Sequence, residues 1–293
     1  MKLRKRLILV FAVLLGGAVT ALAVGFFLFR TEPTWYRPVA LPAEEREAAA
    51  QRATNKLAMI QNQAARARAA EQMAQGTTRS ANPAPATVSS ESAITVTFTD
   101  VELNAFFDKW IAWNNWKAAY DPYIADPVLV LDEGRLIVAA RVKELDTVAS
   151  LHVRPSVDVQ GRLRLDVERV LGGKLPLPAS VLGDYRARLS RSIAQRLPRW
   201  RASSALDRAG APNTPLILAA MSQLLVNVLD ERPADPVLFL PLVGQRAVPV
   251  KLTHVKIEDH AMTLTVEPLD ARDRAALLER VKQGTSLVNL SNR

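Results

Sequence analysis

The chain has no cysteine. That removes disulfides, thiolate metal sites, iron–sulfur clusters and a cysteine nucleophile together. Histidine is scarce as well: His152, His254 and His260 are the complete set, little material for a histidine-based metal site. None of the patterns GxSxG, HExxH, GxGxxG or the P-loop occurs. Beyond residue 29 no uncharged apolar run approaches membrane-spanning length. What is present suffices for folding. The chain is 293 residues long, 49% hydrophobic and 23% charged, which excludes wholesale disorder and fits one sizeable domain with accessories, or two small ones.

The one long apolar run lies at the start. Residues 1–6 carry four positive charges and no acid, a basic tail. Residues 7–29, from Leu7 to Phe29, then carry no charge, and Thr20 is their only polar side chain. About 20 apolar residues cross a bilayer as a helix, so this run is long enough to span. The competing reading is a cleaved signal peptide, because Ala21-Leu22-Ala23 has small-x-small spacing. Phe26-Phe27-Leu28-Phe29 continue the run past that point, which favours an uncleaved anchor. Trp35 and Tyr36 follow where amphipathic rings favour the interface. Positive charge ahead of the helix places the N-terminus in the cytoplasm and the remainder outside the inner membrane, in a single pass.

Lys and Arg total 38 against 29 Asp and Glu, a net charge of +9, and two thirds of that excess lies in residues 1–93. The excess is therefore not a concentrated basic face on the folded part, and nucleic acid is not an expected partner. Residues 30–75 comprise a juxtamembrane segment and a stretch of Ala, Gln, Arg and Glu that favours helix. Ala50, Ala53, Leu57, Ile60, Ala64 and Ala67 recur at spacings of three and four, a weak heptad seam. Two readings stand: a lone helical spacer, which is the expectation, or weak self-association through the seam. Residues 76–93, rich in Pro, Ser and Thr, read as a structureless linker. Stalk and linker together would hold the folded part away from the bilayer.

Residues 94–293 read as one α+β domain. Ile94-Thr95-Val96-Thr97-Phe98 alternates with period two, a strand. Thr99-Asp100-Val101-Glu102 has the form of a capping box, so a helix starts there. Val128–Leu131 and Arg135–Val142 flank Asp132-Glu133-Gly134 as a hairpin. Strands follow at 148–153 and 162–170. Gly172-Gly173 permits a backbone reversal, and an extended stretch leads into a helix over 179–197 flanked by arginines. That basic helix reads as a solvated surface, a contact for anionic head groups, or a protein contact. Thr214-Pro215 opens a helix over 216–229 that is apolar nearly all round. A second hairpin, 248–257 with 262–267, and a helix after Asp270 close the chain. The fold class expected is α+β: a curved antiparallel β-sheet on three or four helices, preceded by a transmembrane helix and a helical stalk.

Aromatics are only 6% of the chain, yet five of the seventeen fall on Phe106, Phe107, Trp110, Trp113 and Trp116. With Leu103, the residues Phe106, Phe107, Trp110 and Trp113 follow i, i+3, i+4, i+7 spacing and form one helix face, with Trp116 near its end. That face is either core or the wall of a cavity for an acyl chain or other apolar ligand. The all-apolar helix 216–229 gives the cavity weight. The candidate ligand-binding residues are therefore Phe106, Phe107, Trp110, Trp113, Leu218, Met221 and Leu225. No catalytic residue, metal ligand or cofactor is expected, and the chain reads as a non-enzyme. A dispersed hydrolytic triad leaves no local trace and stands as the third alternative.

Three stretches carry a resemblance: Phe98-Thr99-Asp100-Val101-Glu102-Leu103-Asn104-Ala105-Phe106-Phe107; Val153-Arg154-Pro155-Ser156-Val157-Asp158 through Gly161 to Leu175-Pro176-Leu177-Pro178; and Val255-Lys256-Ile257-Glu258-Asp259 with Leu264-Thr265-Val266. In this order they resemble the YpmS-like membrane-anchored proteins of bacteria and, more distantly, the LmeA-like exported lipid-binding proteins. The resemblance covers mainly 94–185 and 250–267. It implies a curved sheet around a helix, associated with apolar-ligand or phospholipid binding, and supplies no catalytic residues. The Ala-rich stalk and the Arg-rich helix depart from that pattern. The function expected is a membrane-anchored cell-envelope protein whose outer domain binds an apolar or lipid ligand. The alternative is a non-catalytic scaffold acting through protein partners.

Overall fold

Alternation over Ile94–Thr99 builds strand β1, with Ile94, Val96 and Phe98 buried and the three threonines outward. Thr99 ends the strand and caps the next helix. Its hydroxyl accepts the Glu102 N–H at 3.2 Å, and the Glu102 carboxylate accepts the Thr99 N–H at 3.0 Å, a complete capping box. Helix α2, Asp100–Trp113, starts from it. A computed structural model describes residues 23–38, 41–77, 93–113, 115, 117–177, 227, 232–238, 240, 249–270 and 273. The segment up to residue 22, the linker from 78, and the helices expected at 179–197 and 216–229 lie outside the described residues, apart from Asn227. The helix expected after Asp270 does too, apart from Asp273.

The remaining elements are helix α1 (Ala43–Thr77), the short α3 (Lys117–Tyr120), and strands β2 (Ile124–Asp132), β3 (Arg135–Val142), β4 (Thr147–Val157), β5 (Leu163–Gly172), β6 (Leu175–Pro176), β7 (Val237–Leu238), β8 (Val250–Glu258) and β9 (Ala261–Pro268). The architecture is α+β and antiparallel throughout. The curled sheet divides into a ladder of four strands, β1-β9-β8-β7, and one of five, β2-β3-β4-β5-β6. Both hairpins read from the sequence are present. Glu133 and Gly134 turn the first with positive φ (31° and 83°), the geometry a two-residue hairpin turn requires. On the outer face of β1 and β9, Thr95 bonds Thr265 at 3.0 Å and Thr97 bonds Thr263 at 2.9 Å. The ladders meet where Gly134 N–H donates to the Ile257 carbonyl (3.1 Å) and His260 N–H to the Leu131 carbonyl (3.1 Å).

Helix α1 departs from the spacer expectation. The seam exists, but it is covered by this chain's own domain: Ala53, Leu57, Ile60 and Ala64 belong to the main core, with Phe98, Leu103, Phe106, Trp110 and Val266. Small side chains explain the fit. Ala49 and Ala50 lie against Ala105 and Val101, so the backbones of α1 and α2 approach closely. Polar contacts stitch the same interface. Buried Glu102 accepts from Lys56 Nζ at 2.6 Å and lies 3.4 Å from Arg52 Nε, while Lys109 pairs with Glu47. An alanine seam reads alike for any partner, and here the partner is internal.

Asn104, one residue beyond Leu103, finishes the join. Its amide donates to the Leu129 carbonyl (2.6 Å) and accepts the Leu129 N–H (2.8 Å). A helix side chain thus satisfies the edge of β2 as a neighbouring strand would.

Burial alone would push the Glu102 carboxyl up. The hydrogen bonds from Lys56 and the Thr99 N–H, with the charges of Lys56 and Arg52, outweigh burial and hold it below the ordinary glutamate range. A carboxyl depressed in the folded state stabilises above its unfolded pKa, and that contribution disappears as pH falls through the folded pKa. Glu102→Gln retains a capping-box side chain but loses the charge. It is expected to cost about 1.5–3 kcal/mol near neutral pH, measured by urea unfolding. The gap to the unsubstituted protein should close in acid; an equal gap at both pH values would contradict this role.

Candidate functional site

Two places in the fold merit chemical scrutiny. The first is the aromatic face of α2. Phe106 and Trp110 are 2% and 4% exposed and belong to the main core. Phe107 packs on that core from the side, its ring 5.9 Å from Phe106 at 68°. Trp113, at the C-terminal end of the helix, is 46% exposed, with the Lys109 ammonium 5.1 Å above its ring. Phe106, Phe107 and Trp110 are therefore brought together, and Trp113 stands at the open end of their row. Leu218, Met221 and Leu225 lie outside the described residues. An apolar row of this kind can bind and orient an apolar group but supplies no acid, base or nucleophile.

The second place was not legible as a site. Residues 23–30 are helical, and 28–36 strap across the five-stranded ladder. The Phe29 carbonyl accepts the Thr147 hydroxyl, and the Leu28 carbonyl accepts the Lys174 N–H at 2.8 Å. Gly172 and Gly173 serve this contact as well as the chain reversal. A Cβ at Gly172 would strike the Phe29 ring; at Gly173 (φ +60°) it would overlap the Phe29 carbonyl. Further along, Glu32 pairs with Arg141. Tyr36 is 5% exposed on Val128, Ala139 and Val148, and its hydroxyl donates to the Asp126 carbonyl at 2.8 Å. Asp126 presents that carbonyl because β2 bulges there, with φ +48°.

Trp35 and Tyr36, expected as rings at a membrane interface, are therefore packing residues of the domain. Their partners come from β2, β3 and β4, roughly a hundred residues downstream, and no local spacing announces them. The stand-off expected of stalk and linker is likewise replaced by direct contact between residue 28 onwards and the domain. Among the described residues no helix is long and apolar enough to cross a membrane. Residues 7–22 of the apolar run lie outside them.

Beneath the strap, the Trp35 and His152 rings pack edge to face, their centroids 5.7 Å apart at 87°. His152 Nε2 lies 3.3 Å from the Ser150 hydroxyl, and both residues are buried. Burial, then the charges of Arg169 and Arg135, lowers the imidazole pKa below its ordinary value. A serine beside a histidine invites a hydrolytic reading. Catalysis also needs substrate access and a group orienting the second ring nitrogen. Here Nδ1 has no hydrogen-bond partner among the described residues, and Trp35 covers the ring. The pair is the seat of the strap.

Of the other histidines, His254 is exposed on β8. His260 Nδ1 bonds Asp100 at 2.6 Å, and this contact raises its pKa. Among the described residues no three His, Asp or Glu gather at metal-binding range. No protein-family model, no curated protein and no solved structure matches the chain.

Gly173→Ala is expected to cost about 1–3 kcal/mol, through positive φ and the overlap with Phe29. Proteolysis between residues 28 and 38 should accelerate with it. Unchanged cleavage there would show that the strap does not depend on this close approach.

Proposed function

We propose that the chain is a single-pass, membrane-anchored cell-envelope protein whose extracytoplasmic α+β domain binds an apolar or lipid ligand. The run 7–29 is the anchor, the N-terminus is cytoplasmic, and the domain lies outside the inner membrane. The resemblance to the YpmS-like and LmeA-like proteins points the same way. The observation that carries the reading is the row on α2: two buried aromatics, Phe106 and Trp110, continued outward by half-exposed Trp113. The strap at 28–36 adds proximity, since a domain tied to the end of an anchor is held beside its lipid supply. The reading involves no catalysis, metal or cofactor.

One observation favours a non-catalytic scaffold acting through protein partners instead. Phe106 and Trp110 sit within a core that α1 already helps to fill. That scaffold would not assemble through the α1 seam, which the domain occupies.

Native mass spectrometry of the full chain, released from detergent, separates the two. The ligand reading predicts a co-purifying lipid at near-stoichiometric level. Trp113→Ala should lower that occupancy severalfold while leaving stability within about 0.5 kcal/mol, as for an ordinary surface substitution. A folded chain that carries no lipid would contradict the reading and favour the scaffold.

A further inference from the structure

We infer that the end of the five-stranded ladder bearing the 143–146 turn is a bilayer-contact surface, seated on the membrane that holds this chain's own apolar run. The inference rests on the anchor reading above and adds an orientation to it. Its starting point is where the chain enters the domain. Val24, Phe26 and Phe27 of the 23–30 helix are 52%, 61% and 69% exposed, large apolar side chains left uncovered by the protein. The next residues bond directly to Thr147, the first residue of β4, and to Lys174 in the β5–β6 turn. The apolar run therefore reaches the domain at this end with no free tether between them.

The same end presents further apolar surface. Leu145, in the turn just before Thr147, is 50% exposed, and Tyr123 is 70% exposed. Lys143 N–H donates to the Tyr123 carbonyl at 3.0 Å, which holds the two segments side by side. Charge around them is balanced rather than basic: Lys143 pairs with Asp121 at 3.2 Å, Arg141 pairs with Glu32 and lies 3.7 Å from Asp146, and with Arg30, Lys174 and Glu144 the segments hold four cations and four anions. A leucine and a tyrosine beside an anchor, without a cationic field, match the interface of a neutral phospholipid bilayer. They do not match a polyanion. The opposite end of β4 gives an internal reference: Val159, in the β4–β5 turn, is 99% exposed. Along the 11 residues of β4 it lies about 35 Å from Thr147.

The absence of cysteine makes the test clean. Leu145→Cys, Tyr123→Cys and Val159→Cys, each in the full chain, carry one environment-sensitive fluorophore apiece, in nanodiscs of phosphatidylcholine. All three positions are exposed, so the fold should survive; circular dichroism checks it. Labels at 145 and 123 should shift to the blue and be quenched by head-group nitroxide lipid at least about threefold more than the label at 159. The difference should persist in high salt. Equal, water-like signals at all three positions in a chain retained by the nanodisc would overturn the seating and leave the anchor intact. A chain that does not enter the nanodisc would overturn the anchor, and the seating with it.

Discussion

The described structure turns on one buried carboxylate. Glu102 closes the capping box that starts α2, and its charge faces Lys56 and Arg52 from α1. A charge taken out of water is costly unless its partners are close and its hydrogen bonds complete. Glu102 meets both conditions only when β1, α1 and α2 are in place together. Its neighbours extend the same logic. Leu103 enters the core, and Asn104 satisfies the edge of β2. Three consecutive residues thus tie a helix to a second helix, to the core and to the other ladder.

A second join, across β2, β3, β4 and the β5–β6 turn of the five-stranded ladder, brings in the chain upstream of α1. Here backbone carbonyls at residues 28 and 29, a tyrosine hydroxyl and two glycines act where long side chains would not fit. The strap therefore has a defined seat: Gly172-Gly173 leaves room for Phe29, and the bulge at Asp126 turns a carbonyl toward Tyr36. Burial of His152 against Trp35 places a polar side chain in the seat of the strap. Taken together, the two joins make a single body from segments the sequence separates by a linker.

Features governed by local spacing were legible in the sequence. Period-two alternation gave β1 and both hairpins, and the order of Thr99 and Glu102 gave the start of α2. The spacing of three and four along Ala50 to Ala64 identified the apolar face of α1, but not what covers it. Packing partners lie far along the chain, and an alanine face has too little shape to name one. Trp35 and Tyr36 misled for a related reason. Their nearness to an apolar run suggests an interface, while the bulge that receives the tyrosine hydroxyl depends on residues 125–128. Within the candidate site, the grouping of Phe106, Phe107 and Trp110 follows from helical periodicity, whereas the half-exposed position of Trp113 was not legible, because the spacing carries the helix on to Trp116 while α2 ends at Trp113. Asn104 was hidden because a polar residue one place from a core leucine reads as a solvated side chain.

Native-state hydrogen exchange tests most directly the claim that α1 and the strap belong to one cooperative body. The account predicts that buried-face amides over 49–64 and strap amides near residues 29–36 open with the same free energy as those of β8 and β9, which is global unfolding. Exchange in α1 orders of magnitude faster than in the sheet, the behaviour of an isolated helix, would contradict it.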